Sequence, residues 1–163
     1  MSPSTFAIGN FTGKFEDTRF DEVERTFGGV PHKEGDASEA VVWLCYTLPQ
    51  NQRIWLSSGE LAGGTYIDEV DMVALPASTS ASAQCPAIQA KTHNVDGVSL
   101  GMTKANVRAR LGPPSRQQGD WLIYKYETAI TIGGARYDVL GSIDVHFTGN
   151  TADRIIANRD SQS

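Results

Sequence analysis

Residues 121–124 read Trp121-Leu122-Ile123-Tyr124, and residues 43–46 read Trp43-Leu44-Cys45-Tyr46. Upstream of the first, Val107-Arg108-Ala109-Arg110-Leu111-Gly112 matches Val23-Glu24-Arg25-Thr26-Phe27-Gly28 upstream of the second. A proline follows the glycine in both copies, Pro31 in one and Pro113-Pro114 in the other. Downstream, Ser58-Gly59-Glu60 parallels Thr148-Gly149-Asn150. Each match is weak alone, but their shared order marks an internal repeat, with the spacing differences absorbed in loops. Between the copies, residues 76–84 read Pro-Ala-Ser-Thr-Ser-Ala-Ser-Ala-Gln and carry no apolar period, as a flexible linker or long loop does. The expected organisation is therefore a first helix-plus-sheet repeat over residues 5–75, a linker over 76–95 and a second repeat over 96–160.

Each copy reads as a helix followed by antiparallel strands. In the second, Thr103 is an N-cap, Val107 and Leu111 lie on one helical face, and Gly112 with Pro113-Pro114 ends the helix. Strands are expected over 121–127, 139–147 and 152–158, with a possible fourth around 128–132 before a Gly133-Gly134 turn. In the first copy Thr18 caps a helix over 18–27 with Phe20, Val23 and Phe27 as its apolar stripe. Strands then follow over 41–48, 52–57 and 65–74. Helices set apart from an antiparallel meander give an α+β fold: two tandem repeats, each with its helix packed on one face of a three- or four-stranded sheet. The other face is left free to bind.

The chain has 163 residues, 40% of them hydrophobic and 20% charged, with 16 Gly and 7 Pro, which excludes disorder, collagen and coiled coil. No apolar run is long enough to cross a membrane as a helix. The net charge of −5 argues against nucleic acid and would suit a basic partner surface. Met1-Ser2-Pro3-Ser4-Thr5 has neither a basic nor an apolar region, so it is not a signal peptide: either the protein is cytosolic or a leader has been removed. The two cysteines, Cys45 and Cys85, form one bridge or stay as two thiols with Cys45 buried. An exposed free thiol in the polar stretch around Cys85 would be a liability, which leans towards export.

The run from Gly101-Met102-Thr103 through Val107 and Leu111-Gly112-Pro113-Pro114, then Trp121-Leu122-Ile123-Tyr124, then Phe147-Thr148-Gly149-Asn150 and Ile155, resembles the SmpA/OmlA family. That family includes a small outer-membrane assembly lipoprotein. The duplicated unit is similar to the β-lactamase-inhibitor-protein fold, in which sheet faces form a concave protein-binding surface. The first copy departs from the pattern, with Asp17-Thr18-Arg19 where Gly-Met-Thr would stand, and no lipobox cysteine occurs near the start. The resemblance implies a non-enzymatic protein of the periplasm, the outer membrane or the secreted space. It would bind another protein as an inhibitor or assembly accessory. It needs no cofactor and reaches a membrane only through a partner or a missing lipid anchor.

Other motifs in the chain fit their chemistry less well. Gly97-Val98-Ser99-Leu100-Gly101 fits the nucleophile-elbow pattern, with Asp144 and His146 following in chain order. The polar residues 90–96 before it are a poor match for the buried strand such an elbow needs, so a small serine hydrolase on Ser99 is the remote alternative. His32, His93 and His146 are scattered without metal-ligand spacing. Asp68-Glu69-Val70-Asp71 lacks the glycine and spacing of a calcium loop. Gly63-Gly64 and Gly133-Gly134 read as turns, not phosphate loops. The second alternative is a small-molecule or lipid site in the groove between repeats.

The tryptophans carry the most functional information. Strand alternation puts Trp43 and Trp121 opposite Leu44/Tyr46 and Leu122/Tyr124. If the latter pairs lie under the helices, Trp43, Trp121 and Trp55, with Lys125 and His146, form a protein-binding face. The converse assignment would make the tryptophans core.

Overall fold

In a computed structural model, the structure describes residues 3–35, 41–59, 64–77 and 79–162. Met1, Ser2, Glu60 of the downstream match, Gly63 of one expected turn and Ser78 of the linker lie outside the described residues. The elements run in the order β1 (Thr5–Ile8), β2 (Phe11–Lys14), α1 (Phe20–Phe27), β3 (His32–Glu34), β4 (Val41–Leu48), β5 (Gln52–Ser58), β6 (Glu69–Ala74) and β7 (His93–Val95). They continue with α2 (Lys104–Leu111), β8 (Arg116–Gln118), β9 (Trp121–Ile132), β10 (Ala135–Thr148) and β11 (Thr151–Gln162). The fold is α+β and mostly antiparallel sheet.

Eight strands form one sheet in the order β3-β4-β5-β6-β11-β10-β9-β8. Each helix is followed in sequence by a four-strand meander, and the last strands of the two meanders, β6 and β11, pair antiparallel at the centre. A three-stranded sheet, β2-β1-β7, joins the helices in a second layer. Alternation along the large sheet sends Leu44, Tyr46, Ile54, Leu56, Leu122, Tyr124, Ile143 and Val145 into a single core. There they meet Phe20 and Val23 of α1, Val107 of α2, and Phe6, Ile8 and Val95 of the small sheet.

The helix ends are built alike. Gly28 and Gly112 follow α1 and α2 at φ 80° and 85°, where a side chain would be strained, and each backbone N–H returns to the carbonyl four residues earlier. The Tyr46 hydroxyl donates to the Gly28 carbonyl at 2.6 Å, and the Tyr124 hydroxyl to the Gly112 carbonyl at 2.9 Å. So the first long strand of each meander ties down the cap of the preceding helix. Thr103 caps α2 as expected, accepting from the Asn106 N–H at 3.2 Å.

Several expectations need correction. Thr18 does not cap α1; its buried hydroxyl accepts from the Lys14 N–H, and the N-cap position is Arg19, whose N–H donates to Glu22. The span 128–132 is no fourth strand but the continuation of β9, and β10 starts at Ala135. The expected strand over 65–74 starts only at Glu69; before it, Tyr66 makes a single bridge to Arg19. Residues 85–95 are built into the fold rather than free: Thr47 of β4 exchanges backbone hydrogen bonds with Pro86 and Ile88, and His93–Val95 is a strand. Cys45 and Cys85 are bonded, across 40 residues of chain.

Candidate functional site

The helices and the small sheet cover one face of the large sheet, so the opposite face holds the candidate site. Strand register orders its side chains in rows. One row contains His32, Trp43, Ser57, Glu69 and Asn158, and reaches Lys125 on β9. The next contains Cys45, Trp55, Asp71, Ile156, Asp144 and Ile123. The third contains Arg53, Val73, Arg154, His146 and Trp121. Trp43, Trp55 and Trp121 are all half-buried, while Leu44, Tyr46, Leu122 and Tyr124 are in the core. The tryptophans therefore face away from the helices.

The five sequence-chosen residues share this face but not one patch. Trp43 and Trp121 stand at diagonally opposite corners, each beside a histidine. The His32 ring stacks on Trp43 at 4.2 Å between centroids, and the His146 ring meets Trp121 edge-on at 5.0 Å. Such contacts hold the indoles in place. Trp55 lies in the central row, paired across strands with Cys45 and Asp71, with the Arg53 guanidinium 6.0 Å from its ring. Lys125 is exposed on the row opposite to Trp121.

Sequence reasoning missed the polar groups that brace these aromatics. Asp153 bonds His146 Nδ1 at 2.6 Å and accepts from the Thr148 hydroxyl at 2.6 Å. Burial raises the Asp153 carboxyl, but those hydrogen bonds outweigh it and hold the group below its usual range. Arg154 grips both oxygens of Asp71 at 3.1 and 2.8 Å, joining β11 to β6. A β-bulge at His146/Phe147 brings Asp153 and Arg154 together opposite His146. Val73, Ala74, Trp121, His146, Asp153 and Arg154 line a recess of about 250 Å³. Asp144, between Ile123 and Ile156, has one oxygen buried without a partner; burial raises its pKa, against Lys125 and Arg116.

Elsewhere, Ser99 sits in the turn before α2 with its N–H on the Met102 sulfur, and no hydrogen bond joins it to a histidine among the described residues. The strand before it, β7, is antiparallel to β1, unlike the parallel strand of a nucleophile elbow. His93 is buried in the second layer with neither ring nitrogen bonded. Two larger hollows lie on the helix side. One of about 690 Å³ is lined by Phe11, Phe27 and Ala90 among others, and one of about 570 Å³ by Thr12, Arg110 and Tyr126 among others. Among the described residues, no group of three or more His, Cys, Asp or Glu side chains could hold a metal ion, and no helix is long and apolar enough to cross a membrane.

No protein-family model matches the chain, and neither a curated protein nor a solved structure does.

Proposed function

We propose that this protein is a non-enzymatic binding protein that presents the open face of its large sheet to another protein. It would act as an inhibitor or an assembly accessory in the periplasm, at the outer membrane or outside the cell. One observation carries the reading: Trp43, Trp55, Trp121, Lys125 and His146 all lie on the sheet face that the helices leave uncovered. Half-buried, braced tryptophans lose little entropy on docking and bury large area, as interface anchors do. The disulfide is consistent with a compartment outside the cytoplasm.

A duplicated unit, similar to the SmpA/OmlA and β-lactamase-inhibitor-protein folds, is part of the same proposal. Its support is the pairing of Tyr46 with Gly28 and of Tyr124 with Gly112, and the mirrored strand order about β6 and β11. The test is capture from an envelope extract with the native chain and with a Trp43→Ala/Trp121→Ala variant. The variant is expected to keep its circular dichroism spectrum and lose the captured partner. Loss of the fold, or undiminished capture, overturns the reading.

A further inference from the structure

Beyond the open face, a long stretch of one edge of the large sheet has no neighbouring strand among the described residues. β8 covers β9 only at Trp121–Ile123, and Ser115 closes the edge as far as Lys125, whose N–H its hydroxyl accepts. From Tyr126 to Ile132 the outer side of β9 has no neighbouring strand among the described residues. Beyond Tyr126 and Glu127 this overhang reads Thr128-Ala129-Ile130-Thr131-Ile132, which is uncharged, rich in β-branched residues and free of proline. Such an edge is normally blunted by charges, a bulge or a proline; here the single charge is Glu127 at its inner end, and the β9–β10 ladder has no register shift. Ile132 is 61% exposed.

The hairpin geometry says which backbone groups are open. Gly133 and Gly134, both at positive φ, make a two-residue turn closed by the Ile132–Ala135 pair. The pair flanking such a turn is hydrogen-bonded, so even-numbered residues of β9 spend their backbone groups on β10. The N–H and C=O of Glu127, Ala129 and Thr131 then point outwards, unmet.

We propose that this edge pairs with the same edge of a second copy of this chain, antiparallel about a two-fold axis at Ile130. The register is self-complementary. Ile130 meets its own counterpart, Thr128 meets the other copy's Ile132, and Ala129 meets the other copy's Thr131, whose open backbone groups face its own. Glu127 falls opposite Gly133, so no like charges oppose each other. Sterically the fit stops where it should: the other copy's Gly133-Gly134 turn ends opposite Tyr126, one residue short of the stretch that Ser115 and β8 cover. Antiparallel pairing keeps sheet faces aligned, so both open faces look the same way. The short ladder makes this a weak, concentration-dependent dimer.

Sedimentation equilibrium of the full chain tests it. The expected result is a monomer–dimer equilibrium that Ile130→Lys weakens at least about tenfold, by setting two charges against each other at the axis, with the circular dichroism spectrum unchanged. Single-cysteine additions check the register independently of that variant's folding. Ile130→Cys should cross-link into a covalent dimer with oxidised glutathione, and Thr128→Cys should not. A chain that stays monomeric at every concentration overturns the proposal. So do equal cross-linking by the two cysteine variants, open-ended fibres in place of dimers, or an added extended peptide occupying the edge of a monomeric chain.

Discussion

After α1, the strands β4, β5 and β6 run 8, 7 and 6 residues; after α2, the strands β9, β10 and β11 run 12, 14 and 12. The first region compensates for its short ladders. A disulfide fixes Cys45 of β4 to Cys85, and a chain of rings runs from Phe15 through Phe6, Phe11 and Phe27 to Tyr46, with centroids 5.6 to 6.5 Å apart. The second region has no disulfide and holds itself by strand length, its outer ends running past the core. The same helix cap and the same tyrosine tie occur in both, so the local anchor is shared while the stabilising means differ.

That comparison can be broken in four ways. The largest effect should come from Cys45→Ser/Cys85→Ser, expected to cost roughly 3–4 kcal/mol for a loop of this size. Hydrogen exchange should show protection falling in β4 and β5 while β10 keeps its own; equal loss in both regions would erase the distinction. Tyr46→Phe and Tyr124→Phe should each cost about 1 kcal/mol in urea unfolding, since each removes a hydroxyl from a glycine carbonyl. A cost at only one of them would mean the two ties are not equivalent. Asp71→Asn loosens the half-exposed ion pair between β6 and β11, and about 0.5–1 kcal/mol is expected. An unfolding curve that splits into two steps would show that this seam, not the core, couples the regions.

The smallest effects are in pH. Burial, followed by the carboxylates of Glu69, Asp160 and Glu16, outweighs a hydrogen bond from the Gly59 N–H and pushes Asp68 up to about 6 from 3.8. Between those values the folded chain holds a proton that the unfolded chain has released. Stability from this group therefore falls as pH rises through that window and is level above it. Burial lowers His93 from 6.5, which gives the opposite slope: stability is full above 6.5 and drops as pH falls below it. Asp68→Asn should be more stable than the native chain above pH 6, and His93→Gln should flatten the acid side, both read from urea midpoints against pH.

Much of the central architecture was legible because burial imposes period two on β4, β5 and β9, and because Gly28 and Gly112 stop helices visibly. That alternation set Trp43 and Trp121 opposite Leu44/Tyr46 and Leu122/Tyr124 but left open which side the helices cover; the helices pack on the Leu/Tyr side. The β1–β2 hairpin was readable too, from Ile8 and Phe11 flanking the Gly9-Asn10 turn, and was missed because the matched residues of the first copy begin only at Val23. β3 and β8 left no signal: each is three residues, mostly exposed, and exists because a longer neighbour offers it a ladder. The extension of β9 and β10 past the core was hidden because both faces there meet solvent and alternation fades. Asp153 and Arg154 escaped notice because a bulge, not a strand period, brings them to His146.

Glu16 receives Arg159 through its guanidinium and Ser161 through both its N–H and its hydroxyl. Thr5 and Ser4 are fastened in turn to Asp96. The opening segment is thus latched to residues made far later, and β6 stays a bare rim until β11 exists. In chain order the helices and the β4–β5 hairpin come first, but the large sheet closes only once residues 151–162 are in place. A chain cut short before that strand would leave one side of β6 as an unpaired template.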